Sequence, residues 1–258
     1  MKADNSHFPG SIIYGPVKSR RLGNSLGINL LPVGCKVCSF NCSYCQYGWT
    51  DTHTINKNEL GRVKFPGVQE VITAIEGVLH RIKTPLDCLT FSGYGEPTLH
   101  PQFNEIIKQT KDLRDRYSKD HNVPPIPIVV ISNSTNIENA REGLQLADVR
   151  AMKLDACEEN IFNEINKPAE GVTLDDIVKN LKTLKDIIIQ SMFLETNAND
   201  SAVEKWITCI EEIKPLEVQI YTLDRMPADS NLKVLDKLVL KDIARKLTEK
   251  TGIKVTVF

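Results

Sequence analysis

The sequence predicts an α/β fold: an open, partial (β/α)6 barrel built on a curved parallel sheet. Three observations carry that expectation. Short apolar runs recur along the chain without the polar alternation of a half-solvated strand, as strands buried on both faces of a parallel sheet require. Amphipathic helical stripes separate them. Six such β–α units fit in the 258 residues, too few to close an eight-stranded barrel but enough for a curved sheet with helices on its outer face.

In chain order, INLL at 28–31 is the first strand, and residues 1–27 read as an N-terminal extension to a single domain over 28–258. Val68, Val71, Ile72, Ile75, Val78 and Leu79 then form a helical stripe. CLTFS at 88–92 is the second strand. Phe103, Ile106, Ile107 and Leu113 mark a helix over about 101–118, entered through Pro101. IVVIS at 128–132, VRAMKLD at 149–155, IIIQSMFL at 187–194 and VQIYTL at 218–223 complete the six strands. Leu174, Ile177, Val178, Leu181 and Leu184 form a helix behind Thr173 as N-cap. Val203, Trp206, Ile207, Ile210 and Ile213 give another, 235–250 a last one before Gly252, and IKVTVF a final strand. Ligands gather at the carboxyl ends of strands in such sheets, so the polar residues just after each strand matter most. About 35 residues separate the first strand from the first helix where a few are usual, an excess that marks function or disorder.

Composition narrows the class. With 41% hydrophobic and 25% charged residues the chain is of ordinary globular type. A formal net charge of -1 gives no global positive field toward nucleic acid or anionic lipid. No apolar run reaches the roughly 20 residues of a membrane-spanning helix, and MKADNSHFPGS lacks the apolar core of a secretion signal. The expected location is the cytoplasm.

The long connection holds GCKVCSFNCSYCQYG, which sets Cys35, Cys38, Cys42 and Cys45 in a C-x2-C-x3-C-x2-C pattern. Four soft thiolates this close can face one site. Three readings stand side by side. Structural zinc uses two C-x2-C pairs, but normally spaced by ten or more residues. A closed four-cysteine iron–sulfur centre is sterically easier. The third uses Cys38, Cys42 and Cys45 alone, in a C-x3-C-x2-C spacing, with Cys35 as a bystander.

Further candidates follow the next strands. SGYGEPTLHP after 88–92 offers Gly93 and Gly95 for close backbone approach to a ligand, with Tyr94 between them and Glu96 as an acceptor for an ammonium group. Ser132, Asn133, Ser134 and Thr135 end the third strand; capping of a helix starting near Asn136 is the competing reading. Lys153 and Asp155 sit in an apolar strand, where a lysine must be paired or face a cavity. Glu195, Asp224 and Arg225 fall on the same rim, and Lys18, Arg20 and Arg21 offer a basic patch for an anion or a solvated surface. His53, His80, His100 and His121 lack metal-ligand spacing. Cys88, Cys157 and Cys209 read as small hydrophobes on strands or helices.

On these residues the chain resembles the radical S-adenosylmethionine superfamily: the C-x3-C-x2-C spacing with Tyr44 before the last cysteine, and GYGEP as its glycine-rich motif. YGPVKSRRLGNSLGINLLP, FSGYGEPTLHPQF, KLDA followed by NEINKP, and VQIYTLDRMPA are similar to the wyosine-synthase-related branch. The resemblance implies a [4Fe–4S] cluster on Cys38, Cys42 and Cys45 with S-adenosylmethionine on its open iron, cleaved to a 5′-deoxyadenosyl radical that takes hydrogen from an unknown substrate. It further implies that Gly93, Tyr94, Gly95 and Glu96 seat the methionine amino group, that Ser132 and Asn133 meet the ribose and carboxylate, and that Lys153 meets the carboxylate or substrate. A reductant such as flavodoxin or ferredoxin is the implied protein partner. Transfer RNA is a less favoured one, because no cysteine precedes Cys35 to build the second cluster of the named synthases and the net charge is near zero. Activation of a partner protein by installing a glycyl radical, and a non-catalytic iron–sulfur or zinc module, stand beside the main reading.

Overall fold

The structure, a computed structural model, describes residues 11–258. Two strands open it, β1 (Ile13–Ser19) and β2 (Gly23–Ile28), joined as an antiparallel hairpin. The connection that follows carries a two-strand parallel ladder of β3 (Val37–Cys38) and β4 (Thr52–His53), then α1 (Lys57–Leu60). Regular alternation begins with α2 (Val68–Leu79), β5 (Cys88–Phe91), α3 (Phe103–His121), β6 (Ile128–Ser132), α4 (Ile137–Leu146) and β7 (Val149–Lys153). Two short helices, α5 (Glu159–Ile165) and α6 (Leu174–Leu181), precede β8 (Ile187–Met192). The chain closes with α7 (Asp200–Ile213), β9 (Glu217–Tyr221), α8 (Lys237–Thr251) and β10 (Lys254–Val257).

The main sheet runs in the order β1, β2, β5, β6, β7, β8, β9, β10, parallel throughout except for the first hairpin. It is curved and does not close, so β1 and β10 are its two edges. The predicted stripes face the sheet: Val71, Ile72, Ile75 and Leu79 of α2 and Trp206, Ile207 and Ile210 of α7 are buried. Thr173 caps α6 by accepting from the Asp176 N–H at 3.1 Å, and Gly252 ends α8. Among the described residues no helix is long and apolar enough to cross a membrane.

Three expectations are corrected. The first strand of the parallel series is Gly23–Ile28, not 28–31, because the chain leaves the sheet at Asn29, whose side chain bonds the Leu31 backbone instead of a neighbouring strand. Residues 13–27, expected as an extension, form the β1–β2 hairpin on the sheet; residues 1–10 lie outside the described residues. Cys157, expected on a regular element, lies in the loop after β7, whereas Cys88 is buried on β5 and Cys209 lies on α7.

Candidate active site

The cysteine segment is a fixed structure. Val37 bridges Gly95 in parallel, and Phe40 bridges Pro168 while packing edge-on to Phe162 at 5.5 Å. The Asn41 and Ser43 N–H groups donate to the carbonyls of Asn166 (3.0 Å) and Ile165 (2.9 Å). Ser43 in turn accepts from the Asp229 N–H at 2.8 Å. The NEINKP stretch singled out in the sequence is therefore the platform under the cysteines.

A cavity of about 500 Å³ opens at the carboxyl ends of the strands and continues inward past Ser25, Thr90 and Gln190. Cys38, Cys42 and Cys45 line it; Cys35 does not, and its sulfur lies 3.5 Å from the Thr52 hydroxyl. Burial raises the Cys38 thiol above its ordinary range and pushes Cys42 up to about 11, Cys45 adding to the latter. Polar hydrogens aim at the sulfurs. The Phe40 N–H lies 3.5 Å from the Cys38 sulfur, and the Asn133 and Asn166 amides lie 3.6 Å from those of Cys38 and Cys42. Lys36, only 2% exposed, holds its ammonium 3.1 Å from the Cys45 sulfur and 2.5 Å from the Gly48 carbonyl. Three thiols on one cavity wall are the soft donors an iron–sulfur group takes, while among the described residues no three His, Cys, Asp or Glu side chains are grouped as for a single metal ion.

The GYGEP turn packs directly on this segment. Gly95 has φ +135°, and a Cβ there would sit 1.8 Å from the Val37 carbonyl oxygen. Gly93 stands likewise against Asn29, whose Oδ1 accepts from the Tyr94 N–H at 3.0 Å. The glycines thus admit the protein's own backbone and Asn29 before any ligand. Gly93, Gly95 and Glu96 line the cavity, while Tyr94 stands outside it with its ring edge-on to Tyr47 at 6.0 Å. Glu96 accepts from Thr98 N–H (3.0 Å) and hydroxyl (2.6 Å) through Oε1 and from Asn133 N–H (2.6 Å) through Oε2. Burial raises its carboxyl above the usual value, and these donors act the other way. Oε1 therefore takes two donors and Oε2 one, with Ser132 hydrogen-bonding the carboxylate as well, so any acceptor position left for a cationic ligand is on Oε2.

Ser132 and Asn133 also face the cavity. The Asn133 amide donates to Ser39 Oγ at 2.9 Å, tying β6 to the cysteine segment. Ser134 and Thr135 turn away, and Asn136 begins α4 without a side-chain cap, so the capping reading of this stretch is not what the structure adopts. Lys153 both lines the cavity and pairs internally. Its ammonium lies 3.2 Å from Asp155 Oδ1 and 2.6 Å from the Tyr221 hydroxyl, with the Tyr44 and Tyr221 rings each at 5.0 Å. Burial pulls Lys153 down, yet Asp155 and Tyr221 outweigh it and hold the lysine above its ordinary value. Asp155 also accepts from the Tyr44 hydroxyl, the Asn166 amide (2.7 Å) and the Met192 N–H (2.8 Å).

At the rim, Arg20 pairs with Asp224 at 2.9 Å, Arg225 donates to Gln46 at 2.8 Å, and Arg21 lies over the Tyr221 ring at 4.4 Å. These contacts join the first hairpin and the cysteine segment to the end of β9. Glu195 lies in a 3-10 turn off the cavity wall. His100 is buried with Nδ1 accepting from the Gln102 N–H at 3.0 Å and Nε2 facing the Pro66 carbonyl at 2.8 Å, a structural role. Lys36, Asn166 and Tyr221 escaped the sequence reading. Only Lys36 carried a signal, a charge inside the cysteine run.

Residues 33–199 match the radical SAM superfamily. The chain is 31% identical over 232 residues to UPF0026 protein MJ1312 of Methanocaldococcus jannaschii, covering 86% of this chain and 67% of that one. Its fold is similar to that of Streptococcus suis SuiB bound to S-adenosylmethionine, with TM-score 0.64 and 12% identity over 90% of this chain and 50% of that one. TYW1 with a lysine-pyruvate adduct bound gives 0.62 and 18% over 89% and 74%. The chain therefore spans two thirds of the Methanocaldococcus relative and half of SuiB.

Proposed function

Since the chain belongs to the radical S-adenosylmethionine superfamily, whose enzymes use a [4Fe–4S] cluster and S-adenosylmethionine, we propose that Cys38, Cys42 and Cys45 hold the cluster and that a substrate gives up a hydrogen atom in the cavity they line. The observation that carries this reading is the separation of the four clustered cysteines: three share the cavity with Glu96, Asn133 and Lys153, and the fourth turns to Thr52. A closed four-cysteine centre would need Cys35 on the same wall.

Bound there, the cluster and cofactor supply reductive C–S cleavage and a 5′-deoxyadenosyl radical. The protein's own work is placement. Lys36 and the amides of Asn133 and Asn166 direct positive charge at the sulfurs. Glu96 offers the remaining acceptor position of Oε2 to the methionine ammonium, and Lys153 offers its cation to a carboxylate. Gly93 and Gly95 let the cysteine segment and Asn29 pack against this turn, and Ser132 lines the same face of the cavity. The enclosing walls exclude water and loose side chains, which matters because an alkyl radical abstracts hydrogen from whatever it meets. A small electron-transfer protein of the flavodoxin or ferredoxin kind supplies the electron.

The test is electron paramagnetic resonance of the anaerobically reconstituted, dithionite-reduced protein with and without S-adenosylmethionine. The expected result is a four-iron signal that changes when the cofactor is added. A four-iron signal indifferent to it, or no iron signal, overturns the reading.

A further inference from the structure

Six cations line the cavity, Lys18, Arg20, Arg21, Lys36, Lys153 and Arg225, against two carboxylates, Glu96 and Asp224. Most are spoken for. Arg20 holds Asp224, Arg225 holds Gln46, Lys153 holds Asp155 and Tyr221, and Lys36 faces Cys45 and Gly48. Lys18 is exposed. Arg21 differs: its NH1 is shielded from solvent and has no hydrogen-bond partner.

The guanidinium is also oriented. Its carbon lies over the Tyr221 ring, 4.4 Å from the centre, a cation–π contact that holds the guanidinium at the cavity wall. Tyr221 is held in turn by Lys153, Lys153 by Asp155, and Asp155 by Tyr44, the residue between Cys42 and Cys45. Arg21 is therefore the far end of a packed chain that starts at the metal-binding thiols. A cation's N–H that is shut off from solvent without an acceptor is costly, and a planar fork is complementary to the paired oxygens of a carboxylate or phosphate.

We infer that Arg21 seats an anionic group, a carboxylate or a phosphate, of the molecule that gives up hydrogen in this cavity. The inference rests on the radical reading of the site for the word substrate; the anion seat itself does not.

The test uses the full chain with its reconstituted cluster. Binding of inorganic phosphate is read from its phosphorus line width and binding of acetate from saturation transfer to its methyl protons. Each is measured in the parent and in Arg21→Gln, Arg21→Lys and a remote surface control, Lys246→Gln. The expected result is binding of at least one anion, weakened tenfold or more by Arg21→Gln, weakened less by Arg21→Lys, and unchanged by Lys246→Gln. Which probe binds decides between phosphate and carboxylate. Absence of binding in the parent, or equal binding by parent and both Arg21 variants, overturns the proposal. The cofactor-induced resonance change is recorded on Arg21→Gln as well. Its retention is expected, and its loss assigns Arg21 to the cofactor's own carboxylate and overturns the substrate assignment. If the parent shows no cofactor response but its anion binding still depends on Arg21, the radical reading fails while the seat stands.

Discussion

Gly95→Ala tests the claim that the glycine motif exists to admit the cysteine segment. The added Cβ would lie 1.8 Å from the Val37 carbonyl oxygen and 2.7 Å from its carbon. Both are backbone atoms, so no side-chain rotation relieves the contact. Reaching 3.0 Å, a distance below which Cβ contacts are essentially unknown, requires β3 to retreat by 3.0 − 1.8 = 1.2 Å, carrying Cys38 with it. That movement breaks the Glu96 N–H bond to the Val37 carbonyl, now 3.0 Å, at about 1–3 kcal/mol for a buried unsatisfied donor. An alanine at φ +135° adds about 1–3 kcal/mol of backbone strain. The sum, about 2–6 kcal/mol, is a large part of the roughly 5–15 kcal/mol that holds a domain folded. Gly34 is the internal control: it has φ +83° but nothing within 4 Å of an added Cβ, so Gly34→Ala carries only about 1–2 kcal/mol of strain. Urea denaturation of the iron-free proteins, followed by circular dichroism, should place Gly95→Ala well below Gly34→Ala. If the two variants fall within about 0.5 kcal/mol of each other, the glycine serves some other purpose and the packing argument is wrong.

Cys35→Ala should retain the four-iron signal, whereas Cys38→Ala, Cys42→Ala and Cys45→Ala should each lose it; loss in Cys35→Ala would return the closed four-cysteine centre. Lys36→Met removes the cation beside Cys45 and should make the reconstituted cluster harder to reduce by about tenfold, roughly 59 mV for one electron, in a redox titration; an unshifted potential refutes an electrostatic role. Burial holds His100 below its ordinary value, and its Nδ1 accepts a backbone N–H, so the native state keeps it neutral. Below pH about 6.5 the unfolded chain takes up a proton that the native one does not, and stability is lost as pH falls from there toward the depressed native value. The loss by pH 5.5 is at most about 1.4 kcal/mol, read as the difference in urea stability between the parent and His100→Asn across that window. Asp155→Ala strands the Lys153 ammonium, whose side chain is 14% exposed, and should cost about 3–5 kcal/mol. Lys153→Met in the same chain should restore part of that loss, and additivity of the two substitutions within about 0.5 kcal/mol would show that the pair is not coupled.

β5, β6 and β8 were legible because each is buried along most of its length and so reads as a mainly apolar run. The first hairpin was not. Pro16 interrupts β1, and a proline within a run argues against a strand unless that strand lies at a sheet edge, which is where β1 lies. The displaced first strand has a related cause: Leu30 and Leu31 are buried like strand residues, but they follow the exit at Asn29, and burial alone does not distinguish the two. Cysteine spacing and the glycine motif announce themselves within a few residues. Asn166 and Tyr221 do not, because they meet Cys42 and Lys153 across 124 and 68 residues of chain. Arg21 was visible only as a member of a basic patch, and its stacking on Tyr221 requires both ends of the sheet to be in place.

That long-range dependence sets the proposed cluster site apart from a zinc finger. In a zinc finger the metal supplies the folding energy, because nothing else fixes the ligands. Here the ligand segment is fixed beforehand: Val37 is bridged to Gly95, Asn41 and Ser43 are hydrogen-bonded to the platform at 165–166, and Tyr44 is anchored on Asp155. Those contacts are made to the turn after β5, the end of α5 and the loop after β7, all of them protein groups. Substituting a cysteine should therefore remove the cluster and leave the fold, whereas substituting Gly95 or Asp155 should damage the fold and lose the cluster as a consequence. The cost of ordering the site is met when the barrel folds, and a ligand entering the cavity meets groups already in position.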